Sequence, residues 1–218
     1  MKVALIDYGA GNLMSVRKAL AFLQVEAQTP QTPKDLSEAA AIIVPGVGHF
    51  KATVSLDTPW REAILNRVAA GRPILGVCLG MHWLFNGSSE APDLSGLGLV
   101  KGFCFLLYDP DVTKAASSPN LTESERRPIK IPHVGWNSLN LVNRSWLLNG
   151  IDEGAQVYFT HSFAPPVTAE CSATTTHGVR FASVVEHDHI CGVQFHPEKS
   201  GSVGLTILKN FLAQASRQ

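Results

Sequence analysis

The sequence predicts an α/β fold with a mostly parallel central sheet, helices on both faces and a smaller antiparallel part in the C-terminal half. Two observations carry this. In the first half, short apolar runs alternate with stretches of helical periodicity, the pattern of strands that feed a parallel sheet buried on both faces. In the second half, strand-like runs dominate, and two of them are joined by a polar turn. A length of 218 residues, 45% of them hydrophobic and 17% charged, suits one such domain.

The elements follow in order. Val3 to Ile6 is a first buried strand rather than a signal peptide, since Asp7 ends a very short apolar run. Asn12 to Leu23 carries Leu13, Val16, Leu20 and Leu23 on one helical face. Ala41 to Val44 is a strand ended by Pro45-Gly46, Trp60 to Ala70 a helix ended by Gly71, and Ile74 to Val77 the next strand. A helix from Leu79 to Phe85 follows. Val100–Tyr108, Ala155–Thr160, Phe181–Glu186 and Ile190–Phe195 are further strands, the last two joined through His187-Asp188-His189. Gly204 to Ala213 is a helix with Leu205, Leu208, Phe211 and Leu212 on one side. Residues 109–128 are polar and rich in Pro, Ser and Thr, and read as a long surface loop. No internal repeat and no second domain is visible.

Several function classes are excluded by charge and hydropathy. Formal net charge is zero, with 18 basic and 18 acidic residues, so no basic field attracts nucleic acid or anionic lipid. No apolar run approaches a membrane span. Four scattered cysteines, Cys78, Cys104, Cys171 and Cys191, suggest reduced thiols in a cytoplasmic protein. His187, His189, Cys191 and His196 lack a second ligand pair and read as a solvated turn rather than a metal site.

The chemistry centres on Gly76-Val77-Cys78-Leu79-Gly80, which places one cysteine between two glycines after an apolar run and before a helix. That is the layout of a nucleophile elbow. Glycines on either side are required where a strained turn leaves no room for a Cβ, and a helix N-terminus favours a thiolate. Taken alone, the stretch suits a packed structural cysteine equally well. A cysteine nucleophile needs a base with an orienting partner. His196 follows the strand Ile190–Phe195, and Glu198 stands two residues on. On its own the His-Pro-Glu stretch suits a surface loop; together with the elbow it reads as a triad. The N–H of Leu79 and the strand end Gly46-Val47-Gly48 are candidate donors to an oxyanion, and no phosphate-loop pattern is present.

These stretches, with Gln194-Phe195-His196-Pro197-Glu198, resemble the class I (triad) glutamine amidotransferases. Within that class the chain is similar to the glutaminase subunits of imidazole glycerol phosphate synthase. The likeness also rests on Asp7-Tyr8-Gly9-Ala10-Gly11-Asn12-Leu13, Pro45-Gly46-Val47-Gly48-His49-Phe50, Pro132-His133-Val134-Gly135-Trp136-Asn137 and Tyr158-Phe159-Thr160-His161-Ser162-Phe163. The resemblance implies a single flavodoxin-like domain over residues 1–218. It implies hydrolysis of L-glutamine to L-glutamate and ammonia without a cofactor, Cys78 attacking, His196 acting as base and then acid, and Glu198 orienting it. Val47 and Leu79 would supply the oxyanion N–H groups. Gly46, Gly48, His161, Ser162 and Phe163 would form the substrate pocket, with Glu90 on the α-ammonium. The partner implied is a (β/α)8-barrel cyclase, in a heterodimer that channels ammonia. Asn12, His133, Trp136, Asn137, Tyr158 and Lys199 would face it, although Trp136 read alone would be a core aromatic.

The sequence departs from that family where His82 replaces the usual glutamine four residues after the nucleophile. One turn from Cys78, it is expected to face the substrate and to vary its charge with pH. The acidic stretch before Glu90 is also reduced. Competing readings are another triad amidotransferase, a stand-alone cysteine hydrolase, and a catalytically silent module.

Overall fold

The computed structural model describes residues 1–110 and 129–216. The strands in chain order are β1 (Val3–Leu5), β2 (Ala27–Gln28), β3 (Ala41–Gly46), β4 (Ile74–Cys78), β5 (Gly87–Ser88), β6 (Phe103–Leu106) and β7 (His133–Ser138). They continue with β8 (Asn140–Leu141), β9 (Gln156–His161), β10 (Phe163–Ala164), β11 (Cys171–His177), β12 (Val179–His187) and β13 (Ile190–Val193). Among the described residues, four α-helices accompany them: α1 (Leu13–Phe22), α2 (Thr58–Ala69), α3 (Leu79–Leu84) and α4 (Gly201–Ala215).

An eight-stranded sheet runs β2-β1-β3-β4-β13-β12-β11-β8. Its first five strands are parallel and its last three are antiparallel additions. Strand alternation sends successive side chains to opposite faces. Val3, Leu5, Ile43, Leu75 and Val77 join Leu20 of α1 and Leu208 and Phe211 of α4 on one face. Ala4, Ile42, Val44 and Ile74 join Ile64 and Val68 of α2 and Trp83 of α3 on the other. Two cores back to back account for the near-continuous apolar strands, each fully buried aliphatic side chain contributing about 1.5–3 kcal/mol.

Several elements differ from expectation. Pro45 and Gly46 extend β3 rather than end it. Ile6 N–H donates to Ile43 O, so Ile43 and, two residues on, Pro45 turn their backbone groups toward β1. Because β1 stops at Leu5, Pro45 forfeits no ladder bond. The strands β7 and β11 are not apparent from the sequence. His133, Gly135 and Asn137 break the apolar alternation of β7, and β11 is Cys-Ser-Ala-Thr-Thr-Thr-His. Pairing with β9 and β12 makes these strands, not their own composition. Of the stretch 109–128, only Asp109 and Pro110 lie within the described residues.

The fold serves the site through three adjacent strand ends. In the parallel register Gly46 of β3 lies beside Cys78 of β4, and Val193 of β13 lies beside Val77. Gly46, Cys78 and the residues after Val193 therefore reach one edge of the sheet, where ligands bind in such folds. At the end of β4 the chain turns sharply into α3, with Cys78 at φ 52°, ψ −110°. Both flanking glycines are sterically required. A Cβ on Gly76 would lie 2.6 Å from Gly80 O, and a Cβ on Gly80 would overlap Val44 O. Gly80→Ala is expected to destabilise the protein by roughly 2–3 kcal/mol through forced displacement of β3 from α3. A thermal melt indistinguishable from the wild type would show that the elbow tolerates a Cβ.

Candidate active site

Cys78 is buried at the first turn of α3, in a backbone conformation that costs a non-glycine residue about 1–3 kcal/mol. It lines a cavity of about 280 Å³ together with Gly48, Glu90, Pro132, Thr160, His161, Ser162 and Phe163. That volume lies just below the roughly 300–1,000 Å³ of sites for drug-sized ligands, and suits a small polar molecule.

His196 follows β13 at the same sheet edge. Its Nδ1 is 2.9 Å from Glu198 Oε1, and both side chains are 2% exposed. Burial alone would lower the imidazole's pKa; Cys78 and the Glu198 carboxylate outweigh it and raise the value to about 10. The free nitrogen Nε2 is buried without a well-aligned hydrogen bond, yet Cys78 is close enough that hydrogen bonding to it is the foremost influence raising the ring's pKa, ahead of Glu198. Such contacts are often loose before substrate binds. The histidine's backbone is clamped as well: its N–H donates to Tyr158 O at 2.9 Å, and its carbonyl accepts from the Ser200 hydroxyl at 2.6 Å.

Val47 and Leu79 are the residues next after Gly46 and Cys78, which lie side by side in the sheet. Their N–H groups thus belong to neighbouring strand ends. Gly46 is sterically required, since its Cβ would strike the Tyr8 hydroxyl and come 2.8 Å from Leu79 Cβ. Gly48 holds φ +102°, a left-handed conformation at the cavity wall. Glu90 is tethered there by Phe50 N–H, which donates to Oε2 at 2.7 Å. Tyr8 is buried with an unpaired hydroxyl, and burial together with the charge of Cys78 pushes its pKa upward.

His161 lines the cavity and begins a chain of histidines. Its Nδ1 donates to Phe163 O at 2.9 Å. Its Nε2 must then accept from His133 Nδ1 at 3.0 Å, and His133 Nε2 accepts from the Asn137 amide at 3.2 Å. Burial lowers the pKa of both rings, His133 to about 4, so each is neutral. His133 also stacks on His177 with centroids 4.1 Å apart. The expectation that His133 faces a partner is therefore corrected: it is 4% exposed and committed to neighbours.

His82 requires a second correction. It does not face the cavity; it is 4% exposed, and its Nε2 is 2.7 Å from Gln194 Oε1. Burial lowers its pKa to about 4, against the opposing bond to Gln194, so its charge does not vary near neutrality. The helix α3 that bears it is buried at every position and packs that face into the core.

Of the remaining partner-facing candidates, Asn137 is half-buried beside His133, its amide donating to His133 Nε2 and to Thr176 O, so it belongs to the inner face of β7; the others reach the surface. Trp136 is 57% exposed, which rules out the core-aromatic reading, and meets Tyr158 edge to face with centroids 6.2 Å apart. Lys199 is exposed with its ammonium 5.7 Å from the Tyr158 ring centroid. Asn12 caps α1, accepting from Ser15 N–H at 3.3 Å. The other three cysteines are free and buried, and burial raises each of their pKa values. Among the described residues no cluster of three metal-ligating side chains occurs, and no helix is long and apolar enough to cross a membrane.

Sequence reasoning missed Thr160, Pro132 and Gln194. Thr160 O accepts from Cys78 Sγ at 3.9 Å. Gln194 was signalled by one clue, a polar residue inside the apolar run Ile190–Phe195.

Comparison with known proteins agrees with this geometry. The family model for glutamine amidotransferase class-I matches residues 4–215. The imidazole glycerol phosphate synthase subunit HisH of Deinococcus radiodurans is 39% identical over 214 residues, covering 96% of this chain and 92% of the relative. The subunit of the same name from Gloeobacter violaceus is 41% identical over 220 residues, covering 98% and 90%. Among solved structures, a glutamine amidotransferase aligns with TM-score 0.71 at 16% identity, covering 98% of each chain. A chain of PurLQS from Thermotoga maritima aligns with TM-score 0.69 at 17% identity, covering 97% of each chain. The structural matches speak to the fold, and the sequence matches to the family: the chain belongs to the class-I glutamine amidotransferases, among the HisH subunits of imidazole glycerol phosphate synthase.

Proposed function

We propose that this chain hydrolyses L-glutamine to L-glutamate and ammonia in the cytoplasm. The ammonia passes to a (β/α)8-barrel cyclase subunit, which makes imidazole glycerol phosphate and AICAR in histidine biosynthesis. The observation that carries this reading is Cys78 at the floor of a small polar cavity, with the His196–Glu198 pair on the adjacent strand end.

The steps follow from the groups present. Glutamine enters with its α-ammonium toward Glu90 and its α-carboxylate toward Ser162. Cys78 Sγ attacks the side-chain amide carbon, and charge develops on the amide oxygen. The N–H groups of Leu79 and Val47 receive that charge. His196 donates its proton to the departing nitrogen, which leaves as ammonia, and a γ-glutamyl thioester remains. Water then attacks the thioester while His196 takes its proton; the C–S bond breaks and glutamate departs. Glu198 holds the imidazolium through this cycle.

The cyclase docks on the outer face of the β7–β9 ribbon, where Trp136, Tyr158 and Lys199 cluster. Register supports this: Trp136 pairs with Tyr158 and Val134 with Thr160, so these side chains share a face. That face carries exposed Val134 and Trp136, both 57% accessible.

Three outcomes test the reading. Glutamine hydrolysis by the chain alone is expected to be slow, and to rise strongly with the cyclase and its ribonucleotide ligand, with all activity lost in Cys78→Ala. Equal rates in the three mixtures would sink the proposal. Glu198→Gln is expected to lower kcat on the order of 10²–10⁴-fold. The sign of its pH effect follows from the raised pKa of His196: removing the carboxylate destabilises the imidazolium, so the alkaline limb of kcat moves to lower pH. An unmoved limb in the pH–rate profile would contradict that role. Trp136→Ala is expected to weaken cyclase binding by about 10–100-fold in calorimetry, with an unchanged thermal midpoint.

A further inference from the structure

Gln194 lies one residue past β13 and is completely buried. Its Nε2 stands 3.6 Å from Cys78 Sγ, and its Oε1 stands 2.7 Å from His82 Nε2. Its backbone N–H donates to Ser183 O at 2.9 Å, so the residue is anchored independently of its side chain.

A glutamine amide presents donors at one end and an acceptor at the other, and its neighbours decide which end goes where. Here the decision comes from His82. The ring is neutral, with one proton to place. Nδ1 is buried and has no partner. A proton on Nδ1 would bury an unpaired donor and set the Nε2 lone pair against a carbonyl oxygen. The proton therefore sits on Nε2, which donates to Gln194 Oε1. With its oxygen so engaged, the amide turns its NH₂ to the sulfur.

We infer that Gln194 is a further catalytic residue whose amide N–H donates to the Cys78 thiolate, and that His82 is the positioning residue that holds the amide in that sense. The inference rests on Cys78 being the nucleophile of the proposed glutaminase. It gives the sulfur a donor that does not itself titrate, unlike His196. That donor supports the thiolate before attack and again when the C–S bond of the thioester breaks and the electron pair returns to sulfur. A hydrogen bond to a charged group is about twice as strong as a neutral one, so the contact favours the ionised form.

The measurement is the pH dependence of Cys78 alkylation by iodoacetamide in the full chain, from about pH 5 to about pH 10, read by peptide mass. Other titratable groups bear on the sulfur and are left intact: His196 and Glu198 beyond β13, Tyr8 after β1, Cys104 on β6, and Glu90 and His161 at the cavity wall. Gln194→Leu, which removes the donor at similar volume, is expected to move the alkylation midpoint up by about one pH unit and to cut kcat for glutamine roughly tenfold. His82→Phe, which frees the amide to turn, is expected to move the midpoint in the same direction. His82→Gln, which restores an N–H donor, is expected to return it toward the wild type, a rescue that a merely packing role would not produce. If Gln194→Leu fails to fold, the two His82 variants decide the matter. Midpoints equal to wild type in Gln194→Leu and His82→Phe overturn the inference while leaving the glutaminase reading intact. Alkylation that bypasses Cys78 in the wild type overturns both.

Discussion

The structure of this site depends on one close approach, that of the start of α3 to β3. Gly80 comes so near Val44 O that no Cβ fits between them, and Gly76 is closed in the same way by Gly80 O. Because α3 can settle this low on the sheet, the chain must reverse within one residue, and that residue is Cys78 at φ 52°. The strain is held by packing on every side: all six residues of α3 are buried. The same settling sets Leu79 Cβ against Gly46, so the two backbone segments that flank the sulfur are locked to each other. A looser helix would relieve the elbow and also part the two N–H groups that an oxyanion would need.

The second organising element is the β7–β9 ribbon, which lies outside the main sheet yet touches the site at three points. Tyr158 O holds the backbone of His196, Thr160 O faces Cys78 Sγ, and His161 walls the cavity. Its outer face offers Trp136 and Tyr158 to solvent, while its inner face carries the Asn137–His133–His161 chain. A strand has only two faces, so a load on one is borne by the backbone that also carries the other. A shift of the ribbon by a fraction of an ångström would alter the contacts of both His196 and Cys78. This is a physical route by which a docked partner could set the rate of a reaction that it does not itself perform.

Much of this was legible in the sequence, for reasons that differ by residue. Gly76, Cys78 and Gly80 were readable because a strained turn admits few residue types, and His196 with Glu198 because a nucleophile calls for a base at the same sheet edge. Leu20, Val44, Val77 and Phe211 were readable from period alone. What failed was orientation. Spacing of one helical turn from Cys78 aims His82 at the substrate, yet α3 turns that face into the core, where Gln194 takes it. His133 sits in a stretch whose Trp136 is exposed, and period 2 puts His133 and Trp136 on opposite faces. Recognising β7 as a strand would have separated them, but its glycine and polar residues concealed it. Gln194 stood out only as a polar residue in an apolar run, because its importance lies in two contacts with residues more than 110 positions away.

Four buried histidines lie at or behind this site, and they show how one is made different. His82, His133 and His161 all have their pKa values lowered, burial being the first cause in each. His196 suffers the same burial and is nevertheless raised to about 10. The difference is first the proximity of Cys78 and then Glu198, fixed two residues away by the intervening Pro197. Each of the other three instead meets neutral partners: an amide oxygen for His82, a second imidazole and an amide for His133, a backbone carbonyl for His161. Neutral partners order a proton without inviting another. The site thus confines imidazolium formation to the one ring beside the sulfur, and the surrounding rings serve as fixed dipoles. Adding charge to any of them would place a second cation in a low-dielectric interior, where it would compete with His196 for Cys78 and disfavour the proton that the leaving ammonia requires.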